Sequence, residues 1–226
     1  MNNIIIAIDG PAGSGKTTTA REVAKKLNYI YIDTGAMYRA VTLAWLRLNT
    51  ELTEEIICGL MDKIGIRLEL INNEQKTLLN NEDVSEDIRL PEVTKNVSPV
   101  SAIGCVRQKL VQMQRELAKN RGVVMDGRDI GTVVLPDAEL KIFLIATPET
   151  RAKRRLLELQ EKGIESNLEE IKNLIITRDN YDSSRELSPL TKAADAIEID
   201  TSNLTIQQQT EKVLEMAINI INKMPS

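Results

Sequence analysis

The sequence has no histidine and few aromatic residues, and both deficits narrow what the protein can do. None of its 226 residues is histidine, and the aromatic residues are four tyrosines, one tryptophan and one phenylalanine. Without histidine, Ser-His and Cys-His nucleophile pairs are excluded, and so is a zinc site built from histidine and cysteine. So few aromatic side chains cannot form the base-stacking surface that single-stranded nucleic acid requires. Catalysis must therefore use carboxylates, arginines, lysines and hydroxyls.

Charge and apolar runs exclude further classes of protein. The formal net charge is −4 with a pI of about 5.2, which argues against nucleic acid, because its binders usually present a basic face. No run approaches the ~20 apolar residues of a membrane span, and the first ten residues do not resemble a signal peptide. Cys58 and Cys105 allow one disulfide, but we expect two buried thiols of a reducing compartment. These features predict a cytoplasmic protein that binds neither nucleic acid nor membranes.

Five short apolar runs predict the buried strands of an α/β fold. They are nearly continuous rather than alternating, which is typical of parallel strands covered on both faces. The runs are Ile4–Ile8, Tyr29–Ile32, Val123–Met125, Lys141–Ile145 and Ala196–Ile199. Helices separate them, with starts indicated at Thr147-Pro148 and by possible capping boxes at Ser166 and Thr205. The pattern predicts a doubly wound, five-stranded parallel sheet with helices on both faces.

One stretch has a different pattern. Residues 66–70 alternate apolar and charged side chains and lead to Asn72-Asn73, as in a half-buried antiparallel hairpin. We therefore expect residues 63–97 to form a small inserted subdomain, and residues 1–62 and 98–226 to form the core.

A glycine-rich segment after the first strand predicts a nucleotide phosphate site. "GPAGSGKT" fits G-x-x-x-x-G-K-[ST] between a strand and a helix, the context that the motif requires. Its backbone N–H groups surround phosphates, its lysine adds a positive charge, and its last hydroxyl reaches Mg²⁺. The expected ATP-binding residues are Gly10, Pro11, Ala12, Gly13, Ser14, Gly15, Lys16, Thr17 and Thr18. Asp126, at the end of a strand, is the expected second magnesium contact beside Thr17, and Asp9 closes the first strand in a similar way.

A second anion site would distinguish a kinase from other P-loop proteins. The N-K-x-D motif that reads guanine in GTPases is absent, and no basic surface indicates a polymer-driven ATPase. Arginines recur after the strands and on helix faces: Arg39, Arg128, Arg151, Arg154, Arg155, Arg178 and Arg185. Ligands of such sheets bind beyond the carboxyl ends of the strands, so we expect these arginines to meet near the phosphate loop. The alternative for each cluster is a solvated helix face, with Arg178 and Asp182 forming an ion pair worth ~0.3–0.5 kcal/mol.

Convergence of these arginines favours a kinase whose acceptor is itself phosphorylated. A phosphate monoester is already largely ionised at neutral pH, so its attacking oxygen needs no general base. The absence of histidine is consistent with such a reaction. A different acceptor (UMP, AMP or a phosphorylated metabolite) and a nucleotide-sensing module without transfer activity remain open alternatives.

Longer blocks of the sequence resemble the bacterial cytidylate kinases. The resemblance runs from residue 4 to about 201 and is carried by "IDGPAGSGKT", "DTGAMYR", "DGRDIGTVV" and "RDNYDSSR". It implies transfer of the γ-phosphoryl group from ATP to CMP or dCMP with Mg²⁺, by a monomer. It also implies that the insert is a monophosphate-binding domain and that residues at about 147–166 form a helical lid.

The resemblance further implies roles for individual residues. The acceptor phosphate would be held by Arg39, Arg128 and Arg185, the sugar by Arg178 and Asp182, and the cytosine by Ser98, Arg107 and Asp129. Thr34, at an expected helix start, would join them in CMP binding. The catalytic set would be Lys16, Arg128, Arg154, Arg155 and Arg185, with Arg154 and Arg155 closing over the transferring group. Ser101 remains an alternative to Ser98, and Ser98 could instead cap a helix over residues 100–120.

Overall fold

The computed structural model describes residues 3–71, 74–161 and 163–224 and contains the expected parallel sheet. The strands are β1 (Ile5–Asp9), β2 (Ile30–Asp33), β3 (Ile66–Ile71), β4 (Glu74–Leu79), β5 (Glu82–Asp83), β6 (Val123–Gly127), β7 (Leu140–Ile145) and β8 (Ile197–Asp200). Five of them form one sheet in the order β2-β6-β1-β7-β8. Strand β1 pairs in parallel with β6 and β7, and β7 with β8. All five predicted strands are thus confirmed to within two residues at each end.

The chain divides into two compact units. The first unit is Met1–Tyr31 with Asn120–Ser226, and the second is Ile32–Lys119. The helices are α1 (Lys16–Leu27), α2 (Thr34–Leu46), α3 (Glu54–Met61), α4 (Pro91–Ala102), α5 (Gly104–Ala118), α6 (Pro148–Glu161), α7 (Leu168–Ser184) and α8 (Ile206–Lys223). The division expected from the sequence, with an insert at 63–97, remains a prediction.

The core of the first unit explains why its strands appear as continuous apolar runs. Ile6, Ala7 and Ile8 of β1 are all fully buried, so neighbouring side chains that point to opposite faces are both covered. Side chains of α1 and α8, among them Val23 and Val213, belong to the same apolar cluster. The carboxyl end of β1 is thereby fixed where the phosphate loop begins.

The second unit contains the predicted hairpin and a disulfide bond. Strand β3 pairs antiparallel with β4, which in turn pairs with β5. The expected turn at Asn72-Asn73 lies outside the described residues. Cys58 of α3 and Cys105 of α5 are joined in a disulfide, with Cα atoms 5.8 Å apart. The expectation of two thiols is therefore wrong, because the packing of α3 against α5 brings together residues that are distant in sequence.

Two of the three predicted helix starts are confirmed. Thr205 forms the capping box that begins α8, and the Thr147 hydroxyl accepts a hydrogen bond from the Thr150 N–H in the first turn of α6. The capping box predicted at Ser166 is wrong. Asn167 caps α7 instead, since its side chain accepts from the N–H groups of Glu169 and Glu170. Over the described ranges, no helix has the length and apolar character needed to cross a membrane.

Candidate active site

The phosphate loop approaches its neighbours too closely for side chains at two glycines. A Cβ on Gly10, whose φ is 143°, would lie 2.1 Å from the Leu144 carbonyl oxygen. Gly15 has a φ of 92° and precedes the first residue of α1, and a Cβ there would lie 2.9 Å from the Gln209 amide nitrogen. No acidic residue of α1 itself lies in the first turn, so the helix supplies no carboxylate of its own to its positive end. The loop has the geometry that lets backbone N–H groups surround an anion.

Lys16 is buried within this loop. Its Nζ donates a hydrogen bond to the Pro11 carbonyl oxygen at 2.7 Å. Burial, and then the positive charge of Arg128, hold the pKa of Lys16 well below its ordinary value, against the carboxylates of Asp126 and Asp9. A bound phosphate would favour the charged lysine, so this site is electrostatically suited to an anion.

Thr17 and Asp126 come together as the sequence predicts for a magnesium site. The Thr17 hydroxyl donates to Asp126 Oδ2 at 3.0 Å, and the Tyr31 hydroxyl donates to Oδ1 at 2.8 Å. Among the described residues, no group of three or more acidic, cysteine or histidine side chains could hold a metal. One hydroxyl and one carboxylate nevertheless fit Mg²⁺, which usually completes its shell with water and substrate phosphates.

Three of the predicted arginines gather on one carboxylate. Asp182 of α7 is 3% exposed, and its Oδ2 accepts a hydrogen bond from Arg128 Nε at 3.0 Å. Arg178 Nε lies 3.8 Å from the same oxygen, and Arg185 Nη1 lies 4.0 Å from Oδ1. Burial alone would raise the pKa of Asp182, but the three guanidinium groups outweigh it and hold the pKa below its ordinary value. This arginine cluster (Arg128, Arg178 and Arg185 around Asp182) places three positive charges around one buried negative charge.

The predicted arginine face of α6 divides into three environments. Arg151 is 3% exposed and bonds to both oxygens of Asp179 and to the carbonyl oxygen of Ala12 in the phosphate loop. Arg154 bonds to the carbonyl oxygen of Gly13 at 3.2 Å, and burial lowers its pKa.

Arg155 differs from both, because it pairs with Glu158 on the helix surface. The structure thus brings Arg151 and Arg154 to the phosphate loop. It shows Arg155 in the surface pair that the solvated-face alternative describes.

The segment after β6 is fixed by a carboxylate from another strand. Asp129 is buried and begins a π-helical turn, Ile130–Val134. Asp9 Oδ1 accepts from the Ile130 N–H at 2.8 Å, and Oδ2 accepts from the Gly131 N–H at 2.7 Å. Burial raises the pKa of Asp9 to about 7, despite these two bonds. Both oxygens of Asp9 are engaged by the backbone, so Asp126 is the better magnesium candidate.

In the second unit, Thr34 and Arg39 lie on the first turns of α2. Asp33 caps the helix by accepting from the Ala36 N–H at 3.0 Å, and Thr34 is the first helical residue, as expected. The guanidinium group of Arg39 lies over Gly35, where a Cβ would be 3.2 Å from Arg39 Nη1. The helix start and the arginine thus occupy one small region of this unit.

Ser98, Ser101 and Arg107 also lie together in the second unit. Ser98 is inside α4, so the idea that it caps a helix is wrong; the chain remains helical through Pro99 and turns at Ile103. Arg107 Nη1 donates to the Ser101 carbonyl oxygen at 3.2 Å.

Arg107 also packs against an aromatic ring. Its guanidinium carbon lies 5.4 Å from the ring centre of Tyr38. Sequence reasoning missed this partner, and likewise Tyr31 at Asp126, because nothing in the spacing of isolated tyrosines reveals the groups that they contact.

The phosphate loop, the Thr17–Asp126 pair and the arginine cluster define the class of the protein: a P-loop phosphotransferase. Comparison with known proteins narrows the class. The family model for cytidylate kinase matches residues 6–219. A cytidylate kinase from Lactobacillus johnsonii is 55% identical over 93% of this chain and 92% of its own length. Those from Caldicellulosiruptor saccharolyticus and Bacillus anthracis are 54% and 51% identical, over 98% and 97% of this chain and 98% of each relative.

The chain therefore belongs to the cytidylate kinase family. It is a nucleoside monophosphate kinase that transfers a phosphoryl group from ATP to CMP or dCMP. Among solved structures, a shikimate kinase from Bacteroides thetaiotaomicron aligns over 98% of this chain and 99% of its own, with a TM-score of 0.48 and 15% identity. That similarity is too distant to inform the choice of substrate.

Proposed function

We propose that the protein transfers the γ-phosphoryl group of MgATP directly to the phosphate of CMP or dCMP, without a covalent intermediate. The observation that carries this proposal is the arginine cluster at Asp182, in the same unit as the phosphate loop. Guanidinium groups held by a buried carboxylate are fixed in position, as alignment of two polyanions requires. No histidine is needed, because the attacking phosphate oxygen is already ionised.

On the donor side, we propose that the loop residues Gly10–Thr18 hold the triphosphate and that Lys16 neutralises its β- and γ-phosphates. Thr17 and Asp126 would hold Mg²⁺, which supplies charge neutralisation of the phosphates when it is bound. Their 3.0 Å contact supports this assignment. Arg154, beside Gly13, is suited to contact the transferring group.

On the acceptor side, we propose that Arg39, Arg128 and Arg185 hold the phosphate of CMP. Arg178 and Asp182 would contact the sugar. The arginine cluster supports these roles, because Arg128, Arg178 and Arg185 all lie within 4.0 Å of one carboxylate and could change partners on binding with little movement.

We propose that Ser98, Arg107 and Asp129 read the cytosine, with Thr34 contributing to CMP binding. Cytosine presents an N4 donor and the O2 and N3 acceptors, which a carboxylate and a guanidinium group complement. The contact between Arg107 and the Tyr38 ring supports this role, because it helps to hold the guanidinium group in place.

The test is a panel of acceptors in an assay that measures ADP formation. We expect CMP and dCMP to be phosphorylated with MgATP, and UMP, AMP and small phosphorylated metabolites to react far more slowly. The Lys16→Ala variant should lose nearly all turnover, which separates a kinase from a sensing module. A preference for UMP or AMP, or full turnover by Lys16→Ala, would contradict the proposal.

Three further properties belong to the same proposal. Residues 63–97 would act as the monophosphate-binding insert, and residues at about 147–166 as a lid that excludes water on closing. The protein would work as a cytoplasmic monomer without nucleic acid. Light scattering at assay concentration tests the monomer.

A further inference from the structure

One buried carboxylate beside the phosphate loop belongs to none of the proposed nucleotide contacts. Asp9 closes β1, directly before Gly10, and is 5% exposed. Its two oxygens accept hydrogen bonds from two consecutive backbone amides in the segment that follows β6, those of Ile130 and Gly131. We propose that Asp9 is a positioning residue: it fastens the turn that follows Arg128 and Asp129 to the base of the phosphate loop.

The turn needs such a partner because it cannot satisfy its own first amides. It begins after Asp129, whose φ and ψ are −143° and 26° and whose side chain forms no capping hydrogen bond. The first intra-turn bonds are made by Val133 and Val134, which both donate to the Asp129 carbonyl oxygen. The N–H groups of Ile130 and Gly131 thus resemble the open donors at the start of any helix. Asp9 satisfies both donors from a neighbouring strand.

A carboxylate is the side chain that this task requires. It offers two equivalent acceptors, and N–H···O bonds of 2.8 and 2.7 Å to a charged acceptor are among the stronger ones in proteins. An amide in its place has only one acceptor. Its NH₂ group would face an N–H, so one of the two bonds must be lost.

Close packing also restricts the turn. A Cβ on Gly131 would lie 3.2 Å from Lys141 Cδ and 3.4 Å from Asp9 Oδ2. The backbone at Gly131 is therefore packed closely against both the Asp9 carboxylate and the aliphatic part of Lys141. Release of the Asp9 bonds should let this backbone move, and with it the two residues that precede the turn.

The consequence for activity rests on the proposed roles of Arg128 and Asp129 in CMP binding. Displacement of positioned groups by about 1 Å can cost on the order of a hundredfold in rate. Loss of the Asp9 bonds should therefore affect the acceptor more than the donor.

The experiment compares four variants (Asp9→Asn, Gly131→Ala, Glu139→Gln and Asp129→Ala) with the wild type at pH 8, where the Asp9 carboxyl, with a pKa of about 7, is ionised. We expect Asp9→Asn to raise the KM for CMP about tenfold or more, while the KM for ATP changes less than about threefold. Gly131→Ala keeps the carboxylate but crowds the turn. It should show the same pattern as Asp9→Asn, with a higher KM for CMP and a smaller change in the KM for ATP.

Glu139→Gln is the matched control. Glu139 accepts from the Ile5 N–H at 2.9 Å, at the opposite end of β1, so this variant also neutralises a carboxylate that accepts from a backbone amide. Its KM for CMP should stay within about twofold of the wild type. A merely structural role of Asp9 would lower the melting temperature without separating the two KM values.

The outcomes distinguish this inference from the proposed function. Amide hydrogen exchange at Ile130 and Gly131 should accelerate in Asp9→Asn and stay unchanged in Glu139→Gln. If Asp129→Ala raises the KM for CMP but Asp9→Asn leaves it unchanged, the positioning role is refuted. If Asp129→Ala leaves it unchanged while exchange accelerates in Asp9→Asn, the fastening of the turn stands and the assigned role of Asp129 fails.

Discussion

Replacement of Asp182 by asparagine tests the arginine cluster directly. Asp182→Asn keeps the shape of the side chain and one hydrogen-bond acceptor but removes the buried negative charge. Three guanidinium groups lie within 4.0 Å of that charge, and two of them are 20% and 23% exposed, so water screens them only in part. Removal of one partner from a buried ion cluster costs about 3–5 kcal/mol of unfolding free energy. We expect a loss in that range, measured by urea unfolding at pH 7.

The pH dependence of this loss has a defined sign. The pKa of Asp182 is lowered in the folded protein, so its stabilising contribution is fully present above the ordinary carboxyl pKa and is lost as the pH falls through the folded value. The difference between wild type and Asp182→Asn should therefore be constant from about pH 8 to 5 and shrink below about pH 4. Asp182 also contacts Arg128 and Arg185, so turnover should fall together with stability.

A matched control lies one turn earlier on the same helix. Asp179 pairs with a single arginine, Arg151, and is 22% exposed. Asp179→Asn should therefore lower the free energy of unfolding by only about 1–3 kcal/mol. If Asp182→Asn costs less than Asp179→Asn, or less than about 1 kcal/mol, the three arginines are not held by a shared charge and the argument from the cluster fails.

The remaining predictions concern other parts of the molecule. Reduction of the Cys58–Cys105 disulfide, which spans 47 positions, should lower the free energy of unfolding by about 4 kcal/mol. Melting curves with and without dithiothreitol test this, and equal curves would contradict a formed disulfide. Tyr38→Leu removes the ring beneath Arg107 and should raise the KM for CMP by about two- to tenfold without changing that for ATP. Steady-state kinetics measures both KM values, and equal changes would contradict the proposed role of Arg107 in reading cytosine. The pKa of Asp9 is raised to about 7, so its contribution to stability is present below pH ~4 and is lost as the pH rises to ~7. Asp9→Asn should abolish this pH dependence of the unfolding free energy, which urea unfolding at several pH values measures.

The strands were predictable because burial on both faces requires consecutive apolar residues in the sequence. Ile6, Ala7 and Ile8 must all be apolar, whatever the neighbouring elements are. The phosphate loop was predictable for a similar reason, since Gly10 and Gly15 are required by local geometry. Such constraints act within a few residues and can be read in order along the chain.

Except for pairs within one helix, such as the expected Arg178–Asp182 pair, the partners of the arginines were not predictable, because they come from distant segments. Arg151, Arg154 and Arg155 share one helix face in the sequence, yet one is buried against Asp179, one bonds to the phosphate loop, and one pairs on the surface with Glu158. Helical spacing determines which side chains point the same way but not what they meet. The disulfide illustrates the same limit, because only the packing of α3 and α5 brings its two cysteines into range.

The acidic residues at the strand ends show most clearly how partners decide function. Asp9, Asp33, Asp126 and Asp200 all lie at or next to the carboxyl end of a strand, and in sequence each resembles the others. Asp33 and Asp200 accept from nearby backbone amides, two or three residues on, and so stabilise the local turn.

Asp126 and Asp9 have partners far away in sequence. The hydroxyls of Thr17 and Tyr31 can turn away from Asp126, so a metal ion can take their place on its oxygens. The amides that donate to Asp9 belong to fixed backbone, and a metal could replace them only by unfolding the turn. Because hydroxyl partners leave a carboxylate available to a ligand and backbone partners do not, we expect the same residue type near the ends of four strands to have different tasks.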